Sequence, residues 1–141
     1  MTEQKEEIHM QQNNMEQKIV SENFKRWNEA LLSRDPKKVA GLYTGDATFL
    51  PTMSPKFKSG REETEEYFAH FLQKNPTGTV IEEKIQTLSP KSYLHSGMYD
   101  FEVGADENRQ IVKARFTFLW EQNEEGKWEI SHHHSSVKPE G

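Results

Sequence analysis

The strongest constraint on this chain is a change of period after Thr77. Beyond it, large side chains recur at every second position in four successive stretches. The first is Thr79, Ile81, Glu83, Ile85 and Thr87; the second is Tyr93, His95, Gly97, Tyr99, Phe101 and Val103. The third is Val112, Ala114, Phe116, Phe118 and Trp120, and the fourth Trp128, Ile130, His132, His134 and Ser136. A period of two belongs to a strand that buries one face. The breaks at Ser89-Pro90, Gly104 to Asn108 and Asn123 to Gly126 carry turn chemistry, so an antiparallel succession is expected.

Ahead of Thr77 the period is helical. Val20, Phe24, Trp27 and Leu31 make one stripe, which predicts a helix stopping near Arg34. Asp35-Pro36 has the form of an N-cap followed by proline at the first helical position. The short helix it opens is expected to present Val39, Leu42 and Tyr43 and to stop at Gly45. Asp46 to Leu50 then forms a brief strand before Pro51, and residues 51–60 a loop. Ser59-Gly60-Arg61-Glu62 matches a capping box for a third helix, with Tyr67, Phe68, Phe71 and Leu72 on one face and Asn75-Pro76 at its end. Helices first and strands after predict an α+β domain, a curved antiparallel sheet wrapped around a helical layer.

Composition sets the limits. Of 141 residues only 33% are apolar, so one core must lean on eight Phe, four Tyr and three Trp. Residues 1–18 hold much of the polar excess and read as a polar helical extension or a disordered arm; residues 19–141 read as the folded domain. A net charge of −5 offers no basic patch for nucleic acid or an anionic membrane. The sequence has no apolar window of about 18 residues and no signal-peptide core, so a cytoplasmic protein is expected. With no cysteine there is no disulfide frame and no thiolate chemistry.

The last two strands carry a recognisable run: Val112-Lys113-Ala114-Arg115-Phe116-Thr117-Phe118, then Gly126-Lys127-Trp128-Glu129-Ile130, then His132-His133-His134-Ser135-Ser136. It resembles the end of the association domain of calcium/calmodulin-dependent protein kinase II, and more closely the free-standing bacterial and algal versions. Leu50-Pro51-Thr52, Tyr67-Phe68, Phe71-Leu72 and Pro76 with Gly78 extend the likeness over Val20 to Glu140. The resemblance implies a nuclear transport factor 2-like cone, with three N-terminal helices packed on a strongly curved antiparallel sheet and a cavity between them. It also implies self-association: face-to-face sheet dimers that assemble into rings, a hub without an attached kinase. Kinase hubs place a cavity arginine at the position matching Ser135 and another about where Tyr99 falls, which leaves Arg115 as a source of positive charge for an anionic ligand.

These residues are open to three chemistries. On a strand His132 and His134 share a face, and two imidazoles about 7 Å apart can converge on zinc, but the sequence nominates no third ligand beyond His95 or Asp100. No metal or cofactor is therefore expected, and His132, His134 and Ser136 are expected at a subunit interface, with His133 facing the cavity. A small-molecule pocket would be lined by Trp27, Tyr43, Tyr67, Tyr99, Arg115, His133 and Ser135, with Phe71, Phe118 and Trp128 around them. The leading reading is a non-catalytic oligomerisation domain with such a pocket. The alternative is a small enzyme, a SnoaL-like isomerase or hydratase in which His133 works with Tyr99 or Tyr67 on a small carbonyl compound. In that reading Asp46 and Asp100 are weaker candidates.

Overall fold

The computed structural model describes residues 2–140, with side chains from residue 16 onward. Helix α1 spans Thr2–Leu32, α2 Pro36–Ala40 and α3 Gly60–Phe71, followed by a 3-10 turn at Leu72–Lys74. Strands are β1 Tyr43–Leu50, β2 Lys58–Ser59, β3 Thr77–Ser89, β4 Ser92–Val103, β5 Gln110–Gln122 and β6 Trp128–Val137. They form one curved sheet in the order β2-β1-β6-β5-β4-β3. The expected α+β cone is present, with one difference: β1 runs parallel to β6, so the sheet is mixed.

The helices cover one face of this sheet. Among the described side chains of α1 the buried ones are Val20, Asn23, Trp27, Ala30 and Leu31. Asn23 is polar, but its Nδ2 donates to the Tyr93 hydroxyl at 2.8 Å and its Oδ1 accepts from Arg26 at 3.0 Å. A buried amide with both ends partnered carries little desolvation penalty. The helix stops as expected near Arg34, whose φ of 61° is left-handed. The Arg34 guanidinium donates to the carbonyls of Leu31 and Pro76 and ties the helix end to the turn before β3.

Asp35 caps α2 by accepting from the Lys37 N–H at 2.9 Å, with Pro36 in the first position. The helix ends four residues sooner than expected. Leu42 and Tyr43 belong to the strand side, and Gly45 lies inside β1. Strand pairing wins here: the Leu42 carbonyl accepts from the Ile130 N–H at 2.7 Å, and Tyr43 sits opposite Ile130. The capping box of α3 is also shifted. Gly60 has φ 86°, outside helical backbone, so the third position of the first turn moves from Glu62 to Glu63. Glu63 Oε1 accordingly accepts from the Ser59 N–H at 3.4 Å, while the Ser59 hydroxyl caps nothing.

Strands β4 and β5 keep the expected phase, burying Tyr93, His95, Tyr99 and Phe101, and Ala114, Phe116, Phe118 and Trp120. Strands β3 and β6 do not. Each contains a bulge, where one extra residue reverses the sense of alternation. In β3 the register slips between Val80 and Glu82, so Thr79 and Ile81 point outward while Glu83, Ile85 and Thr87 turn in toward α1. In β6 it slips at Ser131, which puts Ile130 on the same inner face as His133 and Ser135.

Candidate functional site

The floor of the cone is a chain of polar groups enclosed by aromatic rings. Trp27 comes from α1, Tyr43 from β1, Tyr99 from β4, and His133 and Ser135 from β6; all five are buried. His133 lies between Phe118 and Phe49, with ring centroids 4.0 and 4.7 Å away and planes within 17° and 9° of parallel. Trp27 meets it edge-on at 5.5 Å. The parallel pairing of Phe49 with His133 and the antiparallel pairing of Phe118 with His133 align all three rings in one row across three strands.

Both ring nitrogens of His133 are engaged. Nδ1 is 2.8 Å from the Tyr43 hydroxyl and Nε2 is 3.2 Å from the Tyr99 hydroxyl. The indole N–H of Trp27 can only donate, and it does so to the Tyr43 oxygen at 3.2 Å. Tyr43 therefore sends its own hydrogen to Nδ1, and the neutral imidazole carries its hydrogen on Nε2, which donates to Tyr99. Tyr99 donates in turn to Ser135, whose hydroxyl meets that of Thr52. As far as Ser135 the hydrogens point one way, starting at Trp27 in the interior; between Ser135 and Thr52, on the loop after β1, either hydroxyl can donate.

The electrostatics keep this chain neutral. Burial pushes the His133 imidazole well below its ordinary value, and the neighbouring His132 and His134 add to the effect. Burial likewise pushes the Tyr43 and Tyr99 phenols upward, so neither ionises near neutrality. Tyr67 is raised for the same reason. It stands apart from the chain, accepting the Met53 N–H at 3.3 Å and meeting Phe49 edge-on at 5.2 Å. A neutral, fully partnered imidazole can pass a proton along its hydrogen bonds, but a ligand reaches it only by displacing one of the partners. Neither Asp46 nor Asp100 joins the group: Asp46 is exposed and accepts from Thr44 at 3.0 Å, and Asp100 is on the outer side of β4.

Five of the seven residues expected to line a pocket therefore meet in one network, and Tyr67 borders it. Arg115 does not. It projects from the other face of β5, exposed, and its Nε donates to Ser136 Oγ at 3.3 Å. That outer face also carries His132, hydrogen-bonded from Nδ1 to Thr48 Oγ1 at 2.6 Å, and the exposed His134. Burial and His134 lower the His132 imidazole. Thr52 and Phe49 belong to the interior site although no pocket role was expected of them. A threonine beside Pro51 and a phenylalanine in a short strand carry no signal of their own; the parallel β1–β6 pairing brings them to His133. Among the described residues no group of three or more His, Cys, Asp or Glu side chains could hold a metal ion.

The cone of helices on one face of a bent sheet is the nuclear transport factor 2-like architecture. A candidate dehydratase of that family from Streptomyces avermitilis superposes with a TM-score of 0.76 at 14% identity, covering 91% of this chain and 99% of its own. A Catenulispora acidiphila protein solved in complex with S-DNPA gives 0.72 at 12% identity, covering 84% and 90%. At such identities the likeness is one of fold. A candidate calcium/calmodulin dependent protein kinase II association domain from Xanthomonas campestris is much nearer, with a TM-score of 0.83 and 39% identity over 86% of this chain and 87% of that one. The sequence profile of the same family matches residues 16–139. This chain belongs to the calcium/calmodulin dependent protein kinase II association domain family. No curated protein matches it.

Proposed function

We propose that this protein is a non-catalytic, self-associating domain whose subunits pair through the uncovered face of the sheet. One observation carries the reading. Across that face the register sets Leu94, Leu119, His132 and Thr48 in one row, and Ser96, Thr117, His134 and Leu50 in the next. Met98, Arg115 and Ser136 make a third. In a chain that is 29% charged, these rows hold one permanent charge, Arg115, over β4, β5, β6 and β1; Lys84 and Glu82 continue the second and third rows at the β3 edge. Depletion of charge at the centre of a patch is the compositional mark of an interface core. Family membership supports the same face, and rings of such dimers would make the chain a hub. Residues 19–141 are the folding unit in this reading, and residues 1–18 an appended polar arm.

The interior network serves that assembly as a rigid floor. Its polar atoms have internal partners, which favours the structural role over the isomerase or hydratase reading. A small ligand would enter by replacing Thr52 at the open end of the hydrogen-bonded chain. A cytoplasmic setting completes the proposal, supported by the cysteine-free sequence; no helix among the described residues is long and apolar enough to cross a membrane.

Native mass spectrometry of the full chain at two concentrations tests the proposal. A dimer or a closed ring of dimers is the expected result. A monomer at both concentrations refutes it.

A further inference from the structure

A second site lies between α1 and β3, separated from the His133 network by Phe24 and Phe118. Ser21, Phe24, Lys25 and Asn28 of α1 face Gly78, Val80 and Glu83 of β3 across a groove of about 330 Å³, with His95 of β4 at its floor. His95 is 1% exposed, yet neither ring nitrogen has a hydrogen-bond partner among the described residues. Burying an imidazole with both nitrogens unmet costs stability, and such groups are rare unless something serves them. Glu83 Oε1 stands 3.4 Å from Nε2, a long approach that favours a proton there, while Nδ1 has no partner at all.

The backbone is bent to bring that carboxylate there. Without the bulge in β3, Glu83 would share the outward face of Ile81 and Thr79; the extra residue turns it inward. The bulge presses so closely on β4 that a Cβ at Gly97 would collide with the Glu82 carbonyl, so glycine is needed opposite it. A bulge that re-aims an acidic side chain at a buried, unpartnered histidine is a feature of sites more than of plain sheet.

The chemistry of the groove selects its ligand. Besides Lys25, its titratable groups are a carboxylate and an imidazole kept neutral, because desolvation outweighs the pull of Glu83 on its proton; of the neutral polar side chains, Asn28 already accepts from the Gly78 N–H. The carboxylate and the imidazole both accept hydrogen bonds. The one cation nearby, Lys25, is turned to Glu29, with Nζ to Oε1 at 3.9 Å. Gln17 Nε2 donates to Glu83 Oε1 at 3.3 Å from the outer side. The Phe24 ring, edge-on to His95 at 6.4 Å, supplies an apolar wall on which an organic cation can rest. An anion would meet Glu83, and an alcohol would offer one hydrogen to two acceptors.

We propose that this groove binds a small organic amine in its ammonium form, with Glu83 carrying the charge and His95 accepting a second hydrogen from the same nitrogen. The test is a titration of the full ¹⁵N-labelled chain with benzylamine, benzyl alcohol and benzoate near neutral pH, following the His95 imidazole nitrogens by NMR. Benzylamine should shift them saturably and the other two should not. Glu83→Gln, a substitution at the groove's rim that keeps shape and removes charge, should weaken benzylamine roughly tenfold or more with melting unchanged. Absence of a saturable shift with benzylamine overturns the proposal. So does an equal response to the alcohol or to benzoate, or an affinity that Glu83→Gln leaves unaltered.

Discussion

Tyr43 gives its hydroxyl hydrogen to Nδ1 of His133 across 2.8 Å, and the direction of that bond is set from outside the pair. The indole of Trp27 occupies the Tyr43 oxygen as a donor, which leaves Tyr43 only one way to point. His133 should therefore be the Nε2–H tautomer, and ¹⁵N chemical shifts of its ring should show a single neutral form through the range where an ordinary histidine titrates. A charged ring at pH values near 6.5 would contradict the packing between Phe49 and Phe118.

Removing the hydroxyl should cost more than a typical surface contact. Tyr43→Phe leaves the Trp27 N–H and His133 Nδ1 both buried and unmet, a loss of about 1–3 kcal/mol for each stranded group. Tyr99→Phe strands His133 Nε2 in the same way and takes from Ser135 one of its two partners, leaving Thr52. Because the two tyrosines act on one imidazole, the double variant should lose less than the sum of the singles, which urea unfolding of all three proteins measures. Strict additivity would mean that the chain of hydrogen bonds is not coupled.

Acid should destabilise the fold before any carboxylate is protonated. His133, His95 and His132 are all held below the ordinary histidine value by burial. The unfolded chain then binds more protons than the native one below about pH 6.5, so stability is full above that value and falls as the pH drops through it. Urea midpoints measured between neutral pH and mildly acidic pH should decline. A flat profile would show that the native histidines titrate normally.

On the outer face, Thr117→Glu places a charge in the middle row between Ser96 and His134. It should shift the assembly to monomer by native mass spectrometry while circular dichroism keeps the native spectrum. An unchanged assembly would move the interface to another surface.

Gly97→Ala should be among the most damaging single methyl additions, at about 1–3 kcal/mol, since the new carbon meets backbone of the β3 bulge with no flexible side chain to yield. Thermal melting reads it directly. An unchanged melting temperature would mean that the bulge relaxes freely.

The same bulges explain what the sequence could and could not reveal. Four strands are legible from period and three helices from period with their caps; the inward turn of His133 follows from the family resemblance, because period alone groups His132 and His134 with the buried Ile130. Parity carried across Ser131 or Ile81 fails, since one inserted residue changes no composition yet exchanges faces for everything beyond it. Tyr43 misleads for a different reason. With Val39 and Leu42 it fits helical spacing, and only pairing with Ile130, 87 positions away, makes it a strand residue. Thr52 and Phe49 enter the site through that same distant pairing. Glu83, by local pattern an exposed edge residue, becomes part of a groove through the bulge.

That the last strand lies inside the sheet, between β1 and β5, has a consequence for synthesis. The β3–β4–β5 meander can zip up as the ribosome delivers it, since each strand pairs with its predecessor. Strand β1, with Tyr43, Ala47 and Phe49 of the core, must wait for residues 128–137 to be made, and until then β5 presents an open edge lined with aromatic side chains. A nascent chain stalled before Trp128 is thus a ready partner for its own kind. The same surface chemistry that closes the finished molecule would, a few seconds earlier, link polysomes.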